Sequence, residues 1–165
     1  ARTPPWSAQP VLAELARFEW ALTEVFDAAD ATAIGREALA GVEHAEWGAL
    51  RFVFHPALRT VSLAWNAVAV WKALDAAPHA AAPSPTSAGG DETWLLWRQQ
   101  YQNRFRCIGT AEATALAWAM DGASFAQVCE ALTRVMPEAE VPRAAAGYLA
   151  AWLDGGLLVE TRRQA

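Results

Sequence analysis

Cysteine is scarce. Cys107 and Cys129 are the only two in 165 residues, they lie far apart, and neither has CxxC spacing or a neighbouring histidine. That excludes a zinc site of the usual kind and leaves two buried free thiols as the reading. Histidine is equally sparse: His44, His55 and His79 are dispersed, so the grouped His and carboxylates of an iron-type centre are not encoded. No nucleophile stands beside a base, and no Gly-rich loop follows a strand to hold phosphate. Basic residues never cluster beyond Arg162 and Arg163, and the net charge is −5, which argues against a general nucleic-acid binder. No apolar run reaches the length of a membrane span, and the first residues, ARTPPW, lack a signal-peptide core. A soluble, cytoplasmic protein with no membrane association is expected. There is no initiator Met, which reads as a processed or trimmed piece of something longer.

What is present is apolar surface. Hydrophobic residues make up 54% and charged residues 19%, and nine are Trp, enough for a real core in one domain or in two small lobes. The longest helical pattern covers residues 11–31, where Leu15, Phe18, Leu22 and Phe26 share a face with Leu12 and Val25 at its edges. Glu14, Arg17, Glu24 and Asp27 fall on the opposite side. Glu19 projects between the apolar positions, so it is expected to be buried and to need a cation or several hydrogen bonds. Arg51, His55 and Arg59 form the only compact basic group of the first half; His55 and Arg59 are the favoured internal partners of Glu19, with contact to another protein as the alternative for the group.

Taken in order, residues 1–10 read as an extended lead-in whose Pro10 starts the helix. A short helical stretch over residues 36–42 is followed by Trp47 and Leu50 turned inward, then by Arg51 to Phe54, stopped at His55-Pro56. Val61, Leu63 and Trp65 alternate with Thr60, Ser62 and Ala64 as a half-buried strand, and Asn66 is placed to cap the helix after it. Residues 76–92, AAPHAAAPSPTSAGGDE, read as a flexible linker, with His79 a solvated bystander. TWLLWR and RFRCI around QQYQN read as a β-hairpin.

Three helices follow. Thr110 is placed to cap the first, whose stripe is Ala113, Leu116, Ala117 and Met120. Ser124 with Gln127 is a capping box for the second, which carries Phe125, Val128, Cys129, Leu132 and Val135 inward and is closed by Pro137. The third buries Val141, Ala145, Leu149 and Trp152 and stops at Gly155-Gly156, and residues 157–161 form a last strand. The expected fold class is α+β: a mainly helical first lobe over residues 1–75, the linker, and a winged-helix-like lobe with a small antiparallel sheet over residues 93–165. The strand at Val61 to Trp65 is expected to extend the hairpin sheet, giving one compact body.

Three long segments, LARFEWALTEVFDAADA, LRFVFHPALRTVSLAWNAVAVWKAL and WLLWRQQYQNRFRCIGTAEATALAWAMDGASFAQV, resemble in that order a bacterial family once labelled as a DNA-binding domain. It is now described as peptide-modification chaperones of the HvfC/BufC type. The likeness covers nearly all of the chain from about Pro5. Members usually carry a further helical region before the equivalent of Trp6, which leaves a short member or a fragment as the two expectations here. The resemblance implies a non-enzymatic partner of a multinuclear non-haem iron oxidase. Such a partner holds the leader of a Cys-containing, ribosomally made precursor peptide while the oxidase, which carries the iron, modifies it. No cofactor or metal is then expected in this chain.

A hairpin edge beside helices suits an extended peptide added as a strand. The expected groove runs between Arg104 to Ile108 and the third helix. Phe105 lies on that strand, Arg104 and Arg106 would meet acidic leader residues, and Tyr148 and Trp152 would supply pockets, with a core role the favoured alternative for Trp152 and a solvated strand face an equal alternative for Arg106. Closure of the hairpin by residues 157–161 would remove the edge. The competing reading is a winged-helix DNA-binding regulator, although its recognition helix offers only Arg134 as a base, close to Glu130. A small hydrolase using Glu19 with His55 would need both groups in one pocket.

Overall fold

The computed structural model describes residues 9–77 and 81–163; the first eight residues of the lead-in and His79 lie outside the described residues. The fold is α+β. It divides into two compact units that interleave along the chain, one containing residues up to Asp27 with Arg59–Cys107, the other Ala28–Leu58 with Ile108 onward. The boundaries expected at residues 75 and 93 therefore both fall inside the first unit. The physical reason is strand pairing, which joins the two sides of the expected linker.

In the first unit, helix α1 (Pro10–Asp27) opens with Pro10 at its first turn, where a missing N–H costs nothing. Its buried residues are Val11, Glu14, Phe18, Ala21, Leu22 and Val25. That stripe is rotated by roughly 50° from the expected one, at about 100° per residue. Glu19 and Phe26 are consequently exposed, and the carboxylate turned inward is that of Glu14. Helix α2 (Ala67–Ala76) and a three-stranded sheet complete the unit, with strand order β2 (Arg59–Trp65), β3 (Ser87–Gln99), β4 (Gln102–Ile108).

Strand β2 runs antiparallel to β3, with Arg59 opposite Leu96 and Leu63 opposite Glu92, so the strand at Val61 to Trp65 does extend the hairpin sheet. Beyond a break in register, Trp65 faces Ser87. Residues 87–92 of the expected linker are thus strand, and Gly89, at φ +78°, takes the backbone through the irregular stretch that a side chain would oppose. Asn66 does not cap α2 with its side chain. It accepts from the Thr86 amide at 2.9 Å and donates to the Ser84 carbonyl at 3.0 Å, fastening the returning segment.

The hairpin turn places both Gln100 and Tyr101 at positive φ, 50° and 61°, as a two-residue turn matching strand twist requires. Phe18, fully buried, is met edge-on by Trp71, Trp94 and Phe105 at centroid distances of 5.5, 6.4 and 5.2 Å. The last turn of α1 has no basic residue of its own. Two carbonyls near its end are served from the sheet: Arg98 donates to that of Phe26 in the last turn, and Asn103 to that of Leu22 one turn earlier.

In the second unit, β1 (Leu50–Phe54) pairs antiparallel with β5 (Leu158–Arg163), Leu50 opposite Arg163 and Val53 opposite Glu160. The final strand thus pairs with β1 and leaves the hairpin to the other unit, so the sheet expected of a winged-helix lobe does not assemble from β3, β4 and β5. Helices α3 (Thr110–Met120), α4 (Phe125–Leu132) and α5 (Val141–Asp154) accompany it. Residues 36–42 form only a short 3₁₀ segment, Arg36–Leu39, and a hydrogen-bonded turn.

Gly109, not Thr110, occupies the cap of α3, and the buried stripe of that helix is Glu112, Ala115, Leu116 and Ala119, leaving Met120 exposed. The capping box of Ser124 and Gln127 forms with both hydrogen bonds. Helix α4 stops at Leu132, well before Pro137, so Val135 lies outside it and exposed. Helix α5 buries Val141, Ala145, Leu149 and Trp152 as its spacing requires, with Leu153 beside them. Gly156, at φ 68°, ends it, and the Leu157 amide donates back to the Trp152 carbonyl at 2.8 Å.

Candidate functional site

The residues expected to bind peptide are divided between the two units. Arg104, Phe105 and Arg106 stand on β4, a terminal strand of the three-stranded sheet. Phe105 turns into the aromatic cluster around Phe18, while Arg104 is exposed and donates to Gln102 at 2.9 Å; Arg106 is half-buried. In the other unit Tyr148 is half-buried, and Trp152 is 2% exposed. The Trp152 indole donates to Glu112 Oε1 at 3.1 Å and its ring meets Phe54 at 5.5 Å. Trp152 is therefore a core residue, in keeping with an indole whose one donor finds a buried acceptor.

The expected tie of Glu19 to His55 and Arg59 does not form, because α1 turns Glu19 to solvent. Arg59 lies within the first unit and meets Glu24 at 3.4 Å, both side chains well exposed. His55 is buried in the second unit with both ring nitrogens engaged: Nδ1 accepts from the Ala57 amide at 3.0 Å, which leaves Nε2 to donate to the Ala31 carbonyl at 3.1 Å. It is a fastener of the Ala31 and Ala57 loops. Arg51 donates to the Gly122 carbonyl at the turn between α3 and α4. The alternation and periodicity of the sequence contained no signal for Glu14; only the partner strand reveals it.

In the first unit, a groove of about 490 Å³ runs beside the other terminal strand, β2. Ala16, Arg17, Trp20, Ala21 and Glu24 of α1 form one wall and Thr60, Val61 and Ser62 of β2 the other. Two ion pairs bracket it. At one end Glu14 accepts from Arg17 at 3.2 Å and from the Ala64 and Trp65 amides of β2 at 3.0 and 2.9 Å. At the other, Glu24 meets Arg59 and accepts from the Trp20 indole at 3.2 Å. Trp20 is 66% exposed, a large apolar surface held in place at the lip of the groove.

The second unit has its own groove, of about 510 Å³, between α5, α4 and the segment around Arg36–Leu39. At its rim Arg36 and Asp154 form a two-pronged pair at 2.7 and 2.5 Å. The hydrogen bonds from Arg36 hold the Asp154 carboxyl below the usual aspartate range, and Asp154 in turn raises Arg36. The same reciprocal effect links Glu160 and Arg162 on β5. Cys129 lines this groove, and burial pushes its thiol up; Cys107 is exposed, contrary to the reading of both as buried. Among the described residues no three His, Cys, Asp or Glu converge on a point where a metal ion would sit, and no helix is long and apolar enough to cross a membrane. No family model, curated protein or solved structure matches this chain.

Proposed function

We propose that this protein is a non-enzymatic partner that holds an extended stretch of a ribosomally made, Cys-containing precursor peptide and presents it to a multinuclear non-haem iron oxidase in the cytoplasm. The observation that supports this best is the terminal strand β2 opening into the groove beside α1. A strand with a neighbour on one side only turns one row of backbone groups outward, and an extended peptide is the ligand that matches it along its length. Trp20 supplies an aromatic contact at the lip, and Arg17 and Glu24 set the charge pattern at the two ends. Strand β4, with Arg104 and Arg106, is the second edge of the same sheet and the alternative seat. The iron and the oxidative chemistry belong to the oxidase in this reading.

The test is co-expression of the tagged chain with such an oxidase and precursor peptide from the same genome, followed by pull-down and mass spectrometry. Recovery of a stoichiometric complex, with peptide retention weakened about tenfold or more by Ala16→Trp or Trp20→Ala, supports the reading and the β2 seat. Loss on Arg106→Glu instead moves the peptide to β4. If the chain comes down alone and binds duplex DNA with a steep salt dependence, the reading fails in favour of a regulator. The helix that would read DNA is poorly equipped for that role: α4 turns Val128, Ala131 and Leu132 inward, and Arg134 beyond its end lies over the Trp118 ring at 5.6 Å.

A further inference from the structure

The groove of the second unit is built almost wholly of hydrocarbon. Leu39, Leu149 and Leu153 are buried at its base, and the rings of Trp47 and Phe125, 6.2 Å apart, form a wall. Its volume of about 510 Å³ lies inside the range of small-molecule sites. Only two of its lining side chains are ionisable, Arg36 and Cys129. The Cys129 thiol is pushed up by burial, so it stays protonated and adds no charge at neutral pH. That leaves one guanidinium at the rim of an apolar slot, and a ligand complementary to it has a hydrocarbon body and a single anionic head.

The head is specified further by what Arg36 does in this structure. Its guanidinium fork already holds a carboxylate, that of Asp154, through two nearly parallel hydrogen bonds. The two side chains are 65% and 56% exposed, so water and salt screen their attraction and water can receive a displaced carboxylate. A second carboxylate arriving from the groove can take over the fork at small cost, with Asp154 turning into water. We propose that this groove binds a free aliphatic monocarboxylate of fatty-acid type, its chain lying over Leu39, Leu149 and Leu153 and its carboxylate on Arg36. Asp154 is then a competitor for the head-group position, and its removal strengthens binding.

The experiment is calorimetric titration of the full chain with laurate below its micellar concentration, and with 1-dodecanol as the uncharged counterpart. Saturable one-to-one binding of laurate is expected, about tenfold tighter than that of the alcohol. Arg36→Gln removes that advantage without changing the alcohol, Ala146→Trp on the groove wall abolishes both, and Asp154→Asn tightens laurate severalfold. The gain expected of Asp154→Asn separates the proposal from simple loss of folding. Laurate should also slow alkylation of Cys129 while leaving Cys107 unaffected. Absence of saturable binding, equal affinity for acid and alcohol, binding that survives Ala146→Trp, or weaker binding by Asp154→Asn would each overturn it.

Discussion

Both carboxylate oxygens of Glu14 accept backbone hydrogen bonds from β2, one from the Ala64 amide at 3.0 Å and the other from the Trp65 amide at 2.9 Å. Consecutive amides of a regular strand point to opposite edges, so a single side chain cannot serve both. Here the register breaks between Leu63 and Trp65, and the break turns both amides toward α1. The carboxylate thus fixes the register of helix against sheet and closes one end of the groove beside β2.

Replacing Glu14 by Ala strands these two donors, and a loss of about 2–4 kcal/mol of unfolding free energy is expected from urea titration. Glu14→Gln keeps one acceptor oxygen and should lose less. Glu19→Ala, on the solvent side of the same helix, should change stability by no more than about 0.5 kcal/mol. A reversal of that order would mean that the helix face is assigned wrongly.

Trp152 and Glu112 give a second contrast, in the other unit. Trp152→Phe retains most of the ring against Phe54 but removes the indole donor to Glu112, for an expected cost of about 1–2 kcal/mol. Trp152→Ala adds a cavity and should cost about 3–5 kcal/mol. Chemical denaturation of the two variants in parallel measures the difference.

The Arg36 and Asp154 pair has a pH signature of definite sign. Because the folded-state pKa of Asp154 lies below its unfolded value, the contribution of the pair is complete above the unfolded value and fades as pH falls through the folded one. Carboxyl-detected NMR titration should find Asp154 titrating below the ordinary aspartate value in the wild type and higher in Arg36→Ala, where the lowering hydrogen bonds are gone. Stability at neutral pH should hardly change in that variant, since the pair is exposed.

The hairpin turn offers a gain in stability. Gln100 and Tyr101 both adopt positive φ, a conformation that Asn and Gly hold with less strain, and Tyr101 is 81% exposed, so little packing is lost. Gln100→Asn with Tyr101→Gly should raise stability by about 0.5–1 kcal/mol, read as a higher urea midpoint at unchanged slope.

The two thiols should also be separable. Iodoacetamide at neutral pH should label exposed Cys107 well before Cys129, whose thiol burial holds protonated. Peptide mapping after timed quenching gives both rates.

The sequence by itself determined the elements whose signals are local. Pro10 at the start of α1, the Ser124 and Gln127 capping box, the inward face of α5, the double-glycine stop and the hairpin all depend on residues within a turn or two of one another. That residues 59–65 form a strand was also legible, from their alternation. What the tertiary structure decided was partnership between distant segments. Rotation of α1 is set by which face the sheet covers, and that exchanged Glu19 for Glu14 as the inward carboxylate. Residues 87–92 looked like linker because small residues carry no pattern of their own, yet β2 supplies the hydrogen bonds that make them strand. The last strand pairs with β1 across more than a hundred residues, a choice governed by non-local backbone pairing to which local pattern is blind. Both grooves arise between such distant segments, so their walls could be named only after the chain had folded.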